Sequence, residues 1–236
     1  MQATNTNHSG KRVRRMFGEI AEHYDLLNRL MTFGQDRVWR QCAIRAAGVP
    51  KNGIVLDAGT GTGGIVLDAL KTDNTLSVVG ADFTMDMMLM GRQKQNGNRI
   101  TWITADALAL PFKNACFDAV TSGYLIRNVS DAFRAFKEQA RVIKPGGRVA
   151  CLETSPPPKG LLRPALLLFL NRLIPLLGQI VSGNRAAYTY LPRTTQNFPP
   201  PWKVSAIMRS AGLIRIRYQR FMFGTIAVHV GIRPKC

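Results

Sequence analysis

The chain has 236 residues, 46% of them hydrophobic, enough for one substantial core with an appendage and too few for two full domains. Its 32 Lys and Arg stand against 14 Asp and Glu, and every acid falls between Glu19 and Glu153, so the segment from Thr154 onward holds 12 cations and no carboxylate. A field so polarised calls for a polyanion nearby, either nucleic acid or the phosphates of a membrane surface, and Cys42, Cys116, Cys151 and Cys236 have neither the spacing of a zinc site nor that of a disulfide framework.

In chain order, residues 1–11 are polar, with no signal-type hydrophobic core, and are expected as a disordered tail. Val13, Met16, Phe17, Ile20, Tyr24, Leu27 and Leu30 recur every three or four residues and predict an amphipathic helix over Arg12–Leu30. A second helix is expected from Asp36 to Gly48, so that residues 12–50 form a helical cap. Strands and helices then alternate: Gly53–Asp57, a helix from Gly64, Leu76–Asp82, a helix from Met85, Ile100–Ala105, Ala119–Ser122 and Arg148–Glu153, with Lys144-Pro145-Gly146-Gly147 ending the helix before the last of these. That alternation over 51–153 predicts a doubly wound, mostly parallel α/β sheet with helices on both faces.

Residues 154–201 are an insertion containing the most hydrophobic stretch, Leu161–Val181, interrupted by Arg163, Pro164, Asn171, Arg172 and Pro175. A membrane span needs about 20 predominantly apolar residues without such breaks, so a lid or an interfacial helix pair is expected instead. Residues 202–236 are read as a helix followed by an antiparallel pair, Leu213–Arg220 and Thr225–Ile232, completing the sheet.

The strongest chemical signal is Val55-Leu56-Asp57-Ala58-Gly59-Thr60-Gly61-Thr62-Gly63-Gly64, a buried strand entering a glycine turn and then a helix. Gly59 to Gly64 also satisfies GxGxxG, which by itself would admit a nicotinamide dinucleotide. Three acids tip the balance. Asp57 beside the turn suits the ammonium of an amino-acid ligand, Asp82 after the second strand suits ribose hydroxyls, and Asp106 followed by Ala107 after the third suits an adenine amino group. Together with Gly59, Gly61 and Thr62 they would surround one nucleoside amino acid; the pattern resembles the class I methyltransferase signature, which implies a Rossmann-like fold and S-adenosylmethionine as that ligand, and no metal site is expected.

Further words extend the match from Arg14 to Pro234: Met16-Phe17, Ala21, Tyr24-Asp25, Asn28, Gly34, Arg37 and Trp39-Arg40; Ala109-Leu110-Pro111-Phe112; Arg127-Asn128-Val129; Arg141-Val142 with Lys144 to Gly147; and Tyr188 with Tyr190-Leu191. With these the chain resembles the ubiquinone/menaquinone biosynthesis C-methyltransferase family. The resemblance implies a seven-stranded sheet with its last strand antiparallel, S-adenosyl-L-methionine as cofactor, and methyl transfer to a polyprenylated quinol, a demethylmenaquinol or a ubiquinol precursor. For such an acceptor, Arg127 and Asn128 after the fourth strand are expected to face the ring, Arg127 as phenolate stabiliser with water or Asn128 relaying the proton, and Tyr24 to close the site from above. The chain differs from the family pattern at Gly64, where an acid is usual, at Asp106, where Asn is usual, near Gly123, at Tyr124-Leu125-Ile126 and at Phe198–Trp202.

A peripheral position at the inner face of a membrane, in the cytoplasm or its organellar equivalent, is expected from the overlap of the basic third with Leu161–Val181. The absence of RNA-binding aromatic words argues against nucleic acid. A homodimer or larger assembly stays open, as do a methyltransferase acting on another small or lipid acceptor and a non-catalytic subunit of the same fold.

Overall fold

The computed structural model describes the backbone of residues 3–235 and the side chains from Val13 to Lys235 except Arg185. Helix α1 spans Ala3–Met31 and α2 spans Asp36–Ala47. The stripe of α1 is used as its spacing dictates: Ile20, Leu27 and Met31 are buried against helices of the insertion. Its backbone continues through residues 3–11, where a disordered tail was expected, because adding a turn to an existing helix is cheap compared with starting one. Gly48 ends α2 in the left-handed conformation, its N–H donating to the carbonyls of Ile44 and Arg45.

The sheet comprises β1 (Ile54–Ala58), β2 (Ser77–Asp82), β3 (Ile100–Thr104), β4 (Phe117–Gly123), β5 (Ile143–Thr154), β6 (Ile214–Phe221) and β7 (Ile226–Ile232), in the order β3-β2-β1-β4-β5-β7-β6. All pairings are parallel except those of β7, which runs antiparallel to both β5 and β6. Helices α3 (Gly64–Thr72), α4 (Met85–Arg92), α5 (Ala132–Val142) and α9 (Pro201–Ser210) connect and flank these strands. One core packs Leu56, Val120, Val149 and Cys151 against Phe136, Val204 and Met208; the other packs Val55, Val78, Ala119 and Ala150 against Ile44, Val66 and Leu70. Burial on both faces explains why these strands read as unbroken apolar runs. β1 and β4 are parallel neighbours, but strands are added to one side from β1 to β3 and to the other from β4 onward, so a ligand crevice opens at their carboxyl ends.

Two local expectations are corrected. Lys144–Gly147 does not lie between helix and strand but inside β5, where Ile143 pairs with Phe117 before the register shifts and Arg148 pairs with Ala119; the Pro-Gly-Gly word forms this irregularity. The expected pair of helices over Leu161–Val181 is one helical path: α6 (Arg163–Leu168), a π-helical turn (Phe169–Leu173) and α7 (Ile174–Ser182). Pro175 cannot donate an intrahelical hydrogen bond, and the wider π turn lets the path pass it unbroken. By length and composition Arg163–Ser182 could cross a membrane. Here Leu170 and Ile174 instead pack on α1 and on α8 (Arg185–Asn197). At Gly178 the backbones come so close that a Cβ would stand 2.3 Å from the Tyr188 ring.

Candidate active site

The glycine turn is shaped by β2 beside it. Gly59 and Thr60 both donate their N–H to the Ala81 carbonyl, at 2.8 and 3.0 Å, and Gly61 N–H donates to Asp82 Oδ2 at 2.7 Å. Gly59 has φ +71°, and a Cβ there would stand 2.8 Å from Leu125 Cδ1, so the turn takes this path only with glycine. Asp82 Oδ1 accepts from Thr84 N–H at 2.7 Å, so one carboxylate fixes both the turn and the entry to α4. Burial pushes the Asp82 carboxyl upward, with the N–H groups of Thr84 and Gly61 opposing.

Beyond these ends lies a cavity of about 680 Å³, within the range of small-molecule sites. Its wall includes Gly59, Gly61, Asp82, Asp106 and Ala107, five of the seven residues expected around the cofactor. The donor set fits a nucleoside: two carboxylates stand after two adjacent strands, and Phe83, Met87 and Leu108 supply apolar surface between them. Asp106 Oδ1 accepts from Leu108 N–H at 2.9 Å, which fixes the loop after β3.

The other two expected residues are placed elsewhere. Asp57 is 1% exposed beneath the turn, where its Oδ1 accepts from the Thr121 hydroxyl at 2.7 Å; burial pushes its carboxyl up to about 7, with that hydrogen bond opposing. It ties β1 to β4 and is not part of the cavity wall. Thr62 is also buried, its hydroxyl donating to Asp25 Oδ1 of α1 at 2.8 Å. Lys94 pairs with Asp25 Oδ2 and donates to the Thr62 carbonyl at 3.1 Å. These three residues latch α1 over the glycine turn. Asp25 belongs to a motif word visible in the sequence, whereas nothing in the sequence singled out Lys94.

On the other side of the cavity, α1 contributes Tyr24 and the segment after β4 contributes Tyr124 and Asn128. Tyr24 packs edge-on to Phe17, and burial raises its hydroxyl's pKa against the opposing Arg127 charge. Asn128 Nδ2 donates to the Tyr124 carbonyl at 2.8 Å, and its Oδ1 accepts from the Tyr190 hydroxyl at 3.2 Å. Arg127 does not line this cavity. Its side chain is 6% exposed and ion-paired with the fully buried Glu153, and its guanidinium lies 4.8 Å from the Tyr124 ring centroid. Glu153 compensates the charge expected to act on the acceptor, and sequence reading missed it because 26 residues separate the partners. Arg127 and Tyr124 instead line a second cavity of about 70 Å³, walled by Leu166, Phe169, Leu170 and Ile174 of the insertion. At Gly64, where an acid was the usual residue, the neighbouring Arg40 is held by Asp36 and Asp68.

A match to the ubiE/COQ5 methyltransferase family covers residues 4–233. The chain belongs to that family. It is 41% identical over 224 residues to the ubiquinone/menaquinone biosynthesis C-methyltransferase UbiE of Desulfotalea psychrophila, covering 95% of this chain and 91% of that protein. It is 44% identical over 223 residues to the demethylmenaquinone methyltransferase of Thermus thermophilus, covering 93% and 100%. In fold it is similar to a solved SAM-dependent methyltransferase of Thermotoga maritima, with a TM-score of 0.64 at 18% identity over 93% of this chain and 98% of that one. This member of the ubiE/COQ5 family is a methyltransferase.

Proposed function

We propose that the chain transfers the methyl group of S-adenosyl-L-methionine to a ring carbon of a polyprenylated quinol, a demethylmenaquinol or a ubiquinol precursor, a reading supported by relatives named a ubiquinone/menaquinone biosynthesis C-methyltransferase and a demethylmenaquinone methyltransferase. The structural observation carrying this reading is the adjacency of two cavities: one bearing the nucleoside-type acids, the other apolar and roofed by the insertion, with Tyr124 common to both walls. When bound, the cofactor supplies an electrophilic methyl group. Asp82 would hold its ribose hydroxyls and Asp106 its adenine amino group.

A quinol ring carbon gains nucleophilicity as the neighbouring hydroxyl loses its proton. Tyr24, kept protonated by burial, can donate a hydrogen bond to the developing phenolate, and Asn128 fixes the wall opposite. Arg127 supports this region from behind Tyr124, its field tempered by Glu153.

The acceptor's hydrocarbon chain requires access from a bilayer, and the outer face of the insertion suits one. Leu161, Leu162, Leu168, Leu176 and Ile180 are exposed there beside the exposed cations Arg163 and Arg172. The ion pairs among the described residues all use positions up to Glu153, leaving the exposed Arg163 and Arg172 available to lipid phosphates. We therefore place the protein peripherally on an anionic membrane surface. The deciding experiment is mass spectrometry of lipid extracts from cells lacking the gene. A quinone short of one ring methyl should accumulate and disappear on complementation; an unchanged quinone pool would overturn the reading.

A further inference from the structure

Tyr124 has a backbone φ of +56°, a conformation costly for a bulky side chain and free for glycine. Its backbone is pinned there from both ends: its N–H donates to the Leu152 carbonyl at 2.8 Å, and its carbonyl accepts from Asn128 Nδ2 at 2.8 Å. The ring is pinned as well. The Arg127 guanidinium lies over it, and Arg127 is in turn anchored by Glu153. A strained, braced ring between two cavities points to a function for the side chain rather than for the turn.

We propose that Tyr124 is a specificity-determining residue: its ring partitions the acceptor, keeping the quinol head in the methyl-donor cavity and admitting only the start of the hydrocarbon substituent to the apolar cavity. This rests on the quinol reading above and deepens it. At about 70 Å³ the apolar cavity holds only a few carbon atoms, so it reads the first prenyl unit and not the length of the chain. Phe169 and Leu170 of the π turn, with Leu166 and Ile174, give that unit an apolar seat.

The test uses the full-length protein, S-adenosyl-L-methionine and three demethylnaphthoquinols carrying no, one or two prenyl units. The native protein should prefer the one-unit acceptor over the tail-less one by roughly tenfold or more in kcat/KM, with little further gain from the second unit. Tyr124→Phe keeps the wall and should keep the preference. Tyr124→Gly relieves the backbone but removes a packed ring and the wall; it should still fold, with a lowered thermal midpoint, and retain measurable cofactor binding, while its preference falls to about threefold or less. Tyr124→Leu serves as the second truncation and should behave similarly. An unchanged preference in the folded Gly and Leu variants overturns the partition while leaving the quinol reading intact. Failure of both variants to fold would make the residue structural and also overturn it. No turnover of any acceptor by the native protein, with the cofactor still bound, removes the quinol reading and the partition with it.

Discussion

Arg127 and Glu153 illustrate how a charge pair out of solvent constrains what either residue can do. Removing the guanidinium leaves a carboxylate with 0% side-chain exposure facing no cation, at a cost of about 3–5 kcal/mol. Arg127→Met should therefore lower the denaturation midpoint strongly, and adding Glu153→Gln should recover much of the loss; urea unfolding of the single and double variants measures both. Two other buried groups act through pH. Burial holds the His229 imidazole at about 4, below its ordinary 6.5, although its Nε2 contacts the Pro201 carbonyl at 3.0 Å. Between those values the unfolded chain binds a proton that the native state does not, so this contribution to stability is lost as pH falls from about 6.5 to about 4. Asp57 has the opposite sign. Its native carboxyl keeps a proton that the unfolded chain releases, so its contribution is full below about 4 and is lost as pH rises through about 7. Each slope is at most about 1.4 kcal/mol per pH unit, and the windows overlap. In the ligand-free protein these two contributions should largely cancel between pH 4 and 6.5. Asp57→Asn should expose a rise of stability with pH, and His229→Gln a decline, both read from urea midpoints across that range.

Helix α1 is the element that the fold uses twice, as a wall of the insertion's core and as a cover for the glycine turn. Its attachment to that turn rests on the Asp25, Thr62 and Lys94 latch. Thr62→Val removes one hydrogen bond of about 0.5–1.5 kcal/mol. It should weaken S-adenosyl-L-methionine binding by roughly threefold to tenfold with only a small change in thermal midpoint, and Asp25→Ala should weaken it at least as much. Titration calorimetry checks the first effect and calorimetric melting the second. The helical period of α1 is written in Met16, Ile20 and Leu27, and it was readable for that reason. Its partners were not, because α7 and α8 lie more than 140 residues further along the chain. The same limit explains the π turn: Pro175 marked a break, but the way around it depended on Leu170 and Ile174 both reaching α1.

At the scale of the whole molecule, charge and apolar surface are arranged toward one end of the sequence. The net charge of +18, with no acid after Glu153, predicts that sedimentation with anionic vesicles weakens as salt rises and that neutral vesicles bind less. Replacing exposed Leu168, Leu176 and Ile180 together with Ser should reduce the binding that survives at high salt, which cosedimentation with both vesicle types will show. The chain order of strands, the glycine turn and the acids at the ends of β2 and β3 follow from local pattern, since strand period and turn chemistry are set by near neighbours, and so the sheet and much of the cavity wall were legible in the residues. Asp57 and Thr62 carried the right chemistry in the right motif, yet packing turned both away from the cavity. Arg127 was expected from the sequence to face the acceptor, but its pairing with Glu153 and its place behind Tyr124 arise only when β4 lies beside β5. The sequence by itself determined which chemistry the chain carries, because that is a matter of residue type and local spacing. Only the tertiary structure decided which charges remain uncompensated and which rings form walls, because both depend on contacts between distant segments in a low-dielectric interior.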